Sequence, residues 1–357
     1  MMRITAVFTI AVAAAALAAT EPHVDLKVQR LEDGRTAYAR EVYLNQAKLR
    51  LKHTTNDGKT TLSKKRGDLF FGLEFGRLPR SSGSWGLSEF FRCYERQGKI
   101  CNLVRERVPT MVTACAIGGI AVADLEFPSM DGGRLRLRMM QFPSHPEWLF
   151  LRVTAEDFII WRLDFQAYPC NSDDPVDRER HVRTEHGDAN LKQVTVKIHE
   201  PTEPFLALYN KFMQETAGNF LIIQPEKFRL LEIPKCGAAV NIRLHPKKGV
   251  SQFDFALGYF KDRPAADAVS RLFDEDGDAV WNFMEGINWN PQMSTADFDR
   301  SLAEARRLGV AEATLAPIRK TYHDAVKKGD VTTAARAESQ LNKLKQAAVA
   351  AGLADFM

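Results

Sequence analysis

Apolar and polar residues alternate along most of the first 293 residues of the chain. A period of two places one face of a strand in a core and the other toward solvent, as in antiparallel sheets. Turn signals rich in Gly, Asp and Pro separate the alternating runs. The clearest runs span residues 69–75, 135–139, 149–153, 159–165, 194–198, 240–244 and 253–259. We therefore predict a mainly β fold: a large antiparallel β-sandwich of jelly-roll or supersandwich type over residues 20–293.

Two stretches depart from this pattern. Residues 85–95 are rich in aromatic residues and fit a short helix or an aromatic loop. Residues 203–218 carry Phe205, Leu208, Tyr209 and Phe212 at helical spacing, before Gly218. This spacing predicts a helix between two strands.

The composition changes near residue 293, and residues 294–357 are rich in Ala without strand-like alternation. Ser294 with Asp297 resembles an N-cap, and Gly309 predicts the end of a first helix. Apolar stripes at helical spacing then predict a C-terminal α-helical hairpin. The stripes are Leu315, Ile318, Tyr322 and Ala325, then Ala337, Leu341, Leu344, Ala348 and Ala351. The hairpin either folds against the sandwich as a lid or binds a partner, including a second copy of the chain.

Residues 1–19 have the order of a secretory signal peptide: Arg3, an apolar Ala-rich run, then small residues. We expect cleavage near Ala18–Thr20 and a secreted or periplasmic bacterial protein. Later apolar stretches are all interrupted by charges, so we predict no membrane span. The net charge is +4 at pH 7 without a Lys/Arg stripe, which argues against nucleic-acid binding.

Five cysteines occur in the chain, and export makes disulfides possible. Cys93 and Cys101 bracket a turn signal, so a bridge between them is the pairing we favour. The alternative is that all five are buried thiols. The absence of CxxC and of Cys/His clusters disfavours structural zinc.

Residues 281–291 combine two Trp, three Asn and one Glu just before the helical segment. Sugars present apolar C–H faces edged by hydroxyls, which suit flat aromatic rings beside amides and carboxylates. Trp85 and Arg92 form a second, similar group. The alternative is that Trp281 and Trp289 fill a seam between the sandwich and the helices. The predicted ligand-binding residues are Trp281, Asn282, Glu285, Asn288, Trp289, Trp85 and Arg92.

Other candidate residues carry weaker signals. Asp274, Asp276 and Asp278 form an acidic turn that is either solvated or binds calcium; its spacing departs from the EF-hand loop. His181 and His186 fit a polar loop better than a metal site. His199 and His245 alternate outward on predicted strands and should face solvent or a cleft. Glu74 and Asp164 alternate with core residues and could form an acid/base pair, although Arg162 lies on the same face and could neutralise Asp164. No phosphate-loop, dinucleotide or nucleophile-elbow motif is present, and we predict neither cofactor nor metal.

Three functions are compatible with this sequence. The first is an exported sandwich that recognises a polysaccharide or oligosaccharide. The second is an exported carbohydrate-active enzyme (a hydrolase, lyase or epimerase) using acids in a sheet cleft. The third is an envelope scaffold that binds protein through its helical hairpin. The architecture resembles large exported sandwiches of the sugar-mutarotase and polysaccharide-processing type, which by itself does not establish a function.

Overall fold

A computed structural model describes residues 22–45, 47–55, 70–75, 84–87, 91–94, 100–128, 132–157, 159–168, 180–210, 218–235, 240–259, 269–291, 295–328 and 331–354. The expected signal peptide, residues 1–19, lies outside these ranges. The described strands, numbered along the chain, are β1 His23–Arg30, β2 Thr36–Tyr43, β3 Ala47–Thr55, β4 Phe70–Phe75, β5 Ser84–Gly86, β6 Phe91–Tyr94, β7 Ile100–Asn102, β8 Met111–Ile117, β9 Ile120–Pro128, β10 Arg134–Gln141, β11 Trp148–Glu156, β12 Ile159–Tyr168, β13 Arg180–Thr184, β14 Gly187–Asn190, β15 Val196–His199, β16 Phe205–Asn210, β17 Asn219–Ile223, β18 Phe228–Ile233, β19 Val240–Pro246 and β20 Gln252–Tyr259. The α-helices are α1 Leu103–Glu106, α2 Gly277–Glu285, α3 Thr295–Arg307, α4 Glu312–Lys328 and α5 Val331–Ala354. A 3₁₀ turn spans Pro225–Lys227, and a π-helical turn spans Leu272–Asp276.

Two antiparallel sheets form the body of the molecule. The first sheet has the strand order β1-β2-β3-β4-β5-β12-β19-β18-β15, with β6 and β7 attached at β12. The second sheet has the order β14-β13-β16-β17-β20-β11-β10-β9-β8. Their inner faces meet: the rings of Phe165 and Phe255 lie 5.1 Å apart, and those of Phe228 and Phe253 lie 5.3 Å apart. The predicted antiparallel β-sandwich is therefore confirmed.

Strand β10 shows how alternation produces this architecture. Leu135, Leu137 and Met139 are fully buried between the sheets, whereas Arg134 and Arg136 between them are exposed. A one-residue shift of the pairing would exchange these two faces, so the apolar row specifies the register. The period of two thus identified both the strand and its inner face.

The helix predicted over residues 203–218 is wrong in its first half, because β16 occupies Phe205–Asn210. Phe205, Leu208 and Tyr209 are buried in that strand, and Phe212 lies outside the described residues. A strand that is covered on both faces loses its alternation and then mimics helical spacing. The outer cover is the π-helical turn, whose Phe273 ring lies 6.0 Å from that of Phe205.

The stretch at residues 85–95 contains strands where we expected a helix or an aromatic loop. β5 and β6 both pair with β12, so these residues extend the first sheet. The β6–β7 pairing places Cys93 directly opposite Cys101. Such positions have Cα atoms about 4.5–5.5 Å apart, within the range that a disulfide spans. The bridge between these two cysteines stays a prediction; Cys115 is a free thiol.

Three helices follow the sandwich. α4 and α5 form the predicted hairpin, and Leu315, Ile318, Tyr322 and Ala325 are buried in it as expected. α3 precedes it and ends where Gly309 adopts a φ of +86°, the left-handed conformation that closes many helices. The helices enclose their own apolar core, and α5 packs on β8 at the edge of the second sheet. None of the described helices is both long and apolar enough for a membrane span.

Candidate functional site

The predicted glycan-binding segment begins on α2, which covers the outer face of the second sheet. The Phe283 ring packs 5.2 Å from Phe150 of β11, and Val280 and Met284 are buried beneath the helix. Gly277 allows a close approach to β16, because a Cβ there would lie 2.9 Å from a ring carbon of Phe205. One face of the segment is therefore committed to the core.

Trp289 is buried, with 4% of its surface exposed. Its ring stacks 4.7 Å from the guanidinium carbon of Arg152, and its carbonyl accepts a 2.7 Å hydrogen bond from Arg138. Within the described part of the chain, the enclosed indole N–H has no hydrogen-bond partner. Trp289 thus covers the strands β10 and β11 and offers no open ring face to a ligand.

The remaining predicted residues of the segment do not converge on one point. Trp281 is half-buried against the core, whereas Asn282, Glu285 and Asn288 are exposed. Glu285 accepts a 3.0 Å hydrogen bond from Gln224, and the Asn288 side chain caps a turn within the segment. Trp281 with Asn282 and Glu285 is the part of the predicted site that a ligand can reach.

The second predicted group is divided by the sheet. Trp85 is 1% exposed, and its ring packs edge-on against Phe165 in the sandwich core. Arg92 lies on β6 opposite Arg162, and its side chain lies outside the described part of the chain. The Trp85 ring therefore cannot reach a glycan without opening the core, while Arg92 is next to a different group of polar residues.

An arginine ladder occupies the outer face of the second sheet, beside Trp289. We use this name for Arg134, Arg136, Arg138 and Arg152 with the carboxylates Asp124, Glu126, Glu156 and Asp254. Each arginine has a carboxylate partner on a neighbouring strand, at 2.7 to 3.3 Å. Two of these pairs, Arg138–Asp124 and Arg152–Asp254, are bidentate. The ladder is balanced in charge and satisfied in hydrogen bonding.

A second polar group lies on the outer face of the first sheet, where β12, β19 and β18 are neighbours. We call it the His245 cluster; it comprises Trp161, Arg162, Asp164, Glu232, Arg243 and His245. The antiparallel register places Asp164 opposite Arg243, and Arg243 opposite Glu232. Residues distant in sequence therefore meet on one face because their strands are adjacent.

A β-bulge in β12 brings the aromatic member into this cluster. Simple alternation predicts Trp161 on the inner face with Leu163 and Phe165, and this expectation is wrong. The register shifts between Ile160 and Arg162, so that Ile160 is buried instead. The guanidinium carbon of Arg162 lies 4.8 Å from the Trp161 ring centre.

Asp164 is 4% exposed and forms a bidentate pair with Arg162. The two oxygen–nitrogen distances are 2.5 and 2.7 Å. Such a pair fixes the orientation of the carboxylate and engages both of its oxygens. The acid/base role considered for Asp164 is therefore disfavoured relative to the ion pair, and the side chain of Glu74, its suggested partner, lies outside the described residues.

His245 is the least satisfied member of the cluster. It is 8% exposed, and neither ring nitrogen has a hydrogen-bond partner among the residues that the structure describes. Trp161 faces it edge-on at 6.0 Å, and a Glu232 oxygen lies 4.0 Å from Nε2, beyond hydrogen-bonding distance. Burial lowers the pKa of His245, and the positive charges of Arg162 and Arg229 lower it further. A neutral imidazole thus presents one donor and one acceptor.

Two further candidates from the sequence are accounted for locally. His181 is buried and lies 2.6 Å from Asp188, whereas His186 is exposed at the turn of the β13–β14 hairpin. The predicted acidic turn is helical: Asp274 and Asp276 lie in the π-helical turn and Asp278 lies in the first turn of α2. Within the described ranges, no three His, Cys, Asp or Glu side chains are grouped so as to hold a metal ion.

Sequence reasoning identified several members of the His245 cluster without assembling them. The outward positions of Asp164, Arg162 and His245 followed from alternation. The pairing of β12 with β19 and of β19 with β18 joins them, and no local pattern encodes that order. Glu232 and Arg243 carried no separate signal.

Comparisons with known proteins give similarity in shape only. No protein-family model matches the chain, and no curated protein matches it. Among solved structures, an alpha-N-acetylgalactosaminidase from Bifidobacterium bifidum aligns with a TM-score of 0.44 and 10% identity, over 65% of this chain and 37% of its own. A Klebsiella pneumoniae protein described as an aldose 1-epimerase aligns with a TM-score of 0.41 and 11% identity, over 74% and 89%. A galactose mutarotase related enzyme from Lactobacillus acidophilus aligns with a TM-score of 0.33 and 10% identity, over 63% and 98%.

Proposed function

We propose that this chain is an exported protein that binds a glycan at the His245 cluster. The observation that carries the proposal is the buried, unpartnered imidazole of His245 beside Trp161 and the Arg162–Asp164 pair. Enclosed polar groups normally have hydrogen-bond partners. His245 has none among the described residues and lies beside Trp161 and Arg243, which are partly exposed, so we take its ring as the contact for a ligand group. A sugar hydroxyl can both donate to and accept from such a ring.

The cluster also has the mixture of surfaces that a sugar needs. Trp161 supplies an aromatic surface for C–H groups, and Glu232 and Arg243 supply charged groups at the edge for hydroxyls. The bidentate pair fixes Arg162, so part of the cluster is preorganised before a ligand arrives. These groups stand on strands, which position side chains more rigidly than loops do.

Tryptophan fluorescence titrated with a panel of oligosaccharides tests this function. We expect an oligosaccharide to change the emission of the intact protein, and Trp161→Ala to abolish both the change and the binding measured by calorimetry. Trp281→Ala is the matched comparison, because it makes the same substitution at the other proposed glycan contact, formed by Trp281, Asn282 and Glu285. Loss of binding in Trp281→Ala but not in Trp161→Ala would move the site to α2.

Catalysis is a second candidate, favoured by one distance. The Nε2 atom of His245 and an oxygen of Glu232 are 4.0 Å apart, so both could reach the same bound hydroxyl. This arrangement suits proton transfer on a carbohydrate. Incubation with the oligosaccharides that bind, followed by assays for new reducing ends, unsaturated products and changed stereochemistry, tests it. If the oligosaccharide is unchanged after long incubation, catalysis is excluded and the function is binding alone.

Export is part of the proposal and is supported by the order of charged, apolar and small residues at the N-terminus. N-terminal sequencing of the protein expressed in a bacterium should give a first residue near Thr20. An intact Met1 on the exported protein would contradict it. The scaffold alternative predicts concentration-dependent association through α4 and α5, measurable by sedimentation.

A further inference from the structure

The His245 cluster is bordered by an excess of cations among the residues that the structure describes. Its own charges balance, Arg162 and Arg243 against Asp164 and Glu232, and the neighbouring Lys197 and Arg229 add two permanent positive charges. Arg162 and Asp164 neutralise one another through their bidentate pair. The balance is therefore decided by the groups around Glu232.

Glu232 has more cationic neighbours than one carboxylate can neutralise. Lys197 lies 3.6 Å from one of its oxygens, and Arg243 lies 3.5 Å from the other. Arg229 adds a further positive charge, close enough to His245 to lower the pKa of the imidazole. Burial and the charges of Arg162 and Arg229 lower the pKa of His245, so its neutral ring does not contribute to the excess. A local surplus of about two positive charges results.

The surplus cations are placed where a ligand can meet them. The side chains of Arg243 and Lys197 are 34% and 57% exposed, whereas His245 and Asp164 lie deeper. The cluster thus has an uncharged, enclosed polar group at its base and cations along its rim. The Arg243–Glu232 contact at 3.5 Å is longer than a charge-assisted hydrogen bond, which leaves donors of the guanidinium for another acceptor.

We propose that the glycan bound at this cluster is acidic, with a carboxylate or sulfate group held by Arg243 and Lys197. The inference rests on the proposed glycan-binding function and specifies the class of sugar. A guanidinium matches the two oxygens of either group, and the adjacent lysine adds a second cation. Trp161 and His245 then contact the sugar ring and its hydroxyls.

Calorimetric titration with four probes tests the inference. The probes are oligogalacturonate for carboxylate, chondroitin sulfate oligosaccharides for sulfate, cello-oligosaccharides as neutral sugars, and polyacrylate as an anion without sugar. We expect one of the acidic glycans to bind at least tenfold more tightly than the other three probes. Arg243→Gln should weaken that binding about ten- to hundredfold, the contribution of a charge-assisted hydrogen bond. Higher salt should weaken it as well.

Two variants separate charge from folding. Lys197→Gln changes an exposed side chain and should weaken binding severalfold with an unchanged melting temperature. Arg136→Gln makes the same kind of change on the balanced ladder and should leave binding unaffected.

Each contrary result is distinct. Equal binding of neutral and acidic sugars, both lost in Trp161→Ala, would overturn the acidic class and keep the glycan function. Polyacrylate binding as tight as that of the acidic sugars would overturn the glycan function. Arg136→Gln weakening binding as much as Arg243→Gln would overturn the assignment to this cluster, and no binding of any probe would overturn both proposals.

Discussion

Both sheets of this sandwich carry rows of charged side chains on their outer faces, yet the two rows differ in how their charges are used. In the arginine ladder of the second sheet, every arginine has a carboxylate partner within 3.3 Å. In the His245 cluster of the first sheet, one carboxylate serves several cations, and an enclosed histidine has no hydrogen-bond partner. Complete pairing of the kind seen in the ladder is typical of a solvent-facing sheet and leaves no surplus charge for a ligand.

The difference teaches which polar groups to interpret as candidates for function. Charge alone does not separate the two faces, because both contain several arginines. Burial together with missing hydrogen bonds separates the two faces. An enclosed polar group without a hydrogen-bond partner costs stability unless a ligand supplies that partner. Trp289 also has an enclosed N–H without a partner among the described residues, but its low exposure and its contacts with Arg138 and Arg152 make it part of the packed ladder face.

The largest expected effect concerns Trp289. Trp289→Ala should reduce the free energy of unfolding by about 3–5 kcal/mol, because a buried aromatic side chain is removed and a cavity remains. Urea denaturation measures the loss. Trp289→Phe, which keeps most of the apolar volume, should recover more than half of it. A stable Trp289→Ala protein that no longer binds glycan would reverse the comparison and make the second sheet the binding face.

A pH titration compares two buried histidines. Burial lowers the pKa of His53 to about 4, and the nearby Arg40 guanidinium acts in the same direction. The unfolded state then binds the proton more tightly, so this contribution to stability is complete above about pH 6.5 and is lost as the pH falls toward 4. The loss should reach about 3 kcal/mol. His53→Gln should flatten the pH dependence of unfolding over this window.

His245 provides the counterpart, because its pKa is also lowered. Burial and the cations Arg162 and Arg229 lower this pKa, so the negative charge of a bound acidic glycan should raise it toward the ordinary value. Nuclear magnetic resonance titration of both rings, with and without oligosaccharide, would show this. An equal response of His53 would indicate a general change in the protein.

Removal of the helices tests how far the sandwich depends on its C-terminal segment. A chain truncated before Ser294 should keep its β circular-dichroism signal and lose about 1–2 kcal/mol, the contribution of one or two buried apolar side chains at the α5–β8 contact. We expect a small loss because the helices have an apolar core of their own, separate from that of the sandwich. Loss of the whole β signal would show that both parts unfold as one cooperative unit.

The smallest effect is expected on the ladder itself. Arg136→Gln removes one member of an exposed network, in which Arg136 lies 3.3 Å from Glu126 and 3.4 Å from Glu156. Exposed ion pairs contribute less than about 1 kcal/mol each. Thermal melts at low and high salt should therefore nearly coincide with those of the unchanged protein. A drop of several kcal/mol would mean that the ladder fixes the second sheet.

Much of the fold could be predicted from local pattern. Leu135, Leu137 and Met139 identified β10 and its inner face, and Leu315 to Ala325 identified the buried stripe of α4. Both follow from the repeat of side-chain directions, two residues in a strand and about 3.6 in a helix, which is visible within a single stretch of chain. The prediction failed at β16, which is covered on both faces, and at β12, where one bulge moved Trp161 across the sheet.

The candidate site was less accessible to sequence reasoning. Residues 281–291 drew attention because their Trp and Asn residues are close in sequence, yet Trp289 turned inward onto Arg152. The His245 cluster drew little attention because its members come from three separate strands. The composition of a short stretch of sequence does not show which residues from distant stretches are neighbours in the fold.

The sequence by itself determined the alternating strands, the change to helices near residue 293 and the outward direction of Arg162, Asp164 and His245. Periodicity is a local property, so neighbouring residues suffice to establish it. Only the tertiary structure decided that β12, β19 and β18 lie side by side, that Arg162 neutralises Asp164, and that His245 is enclosed without a partner. Charge balance and burial depend on residues that are distant along the chain and adjacent in space, and strand order is what brings them together.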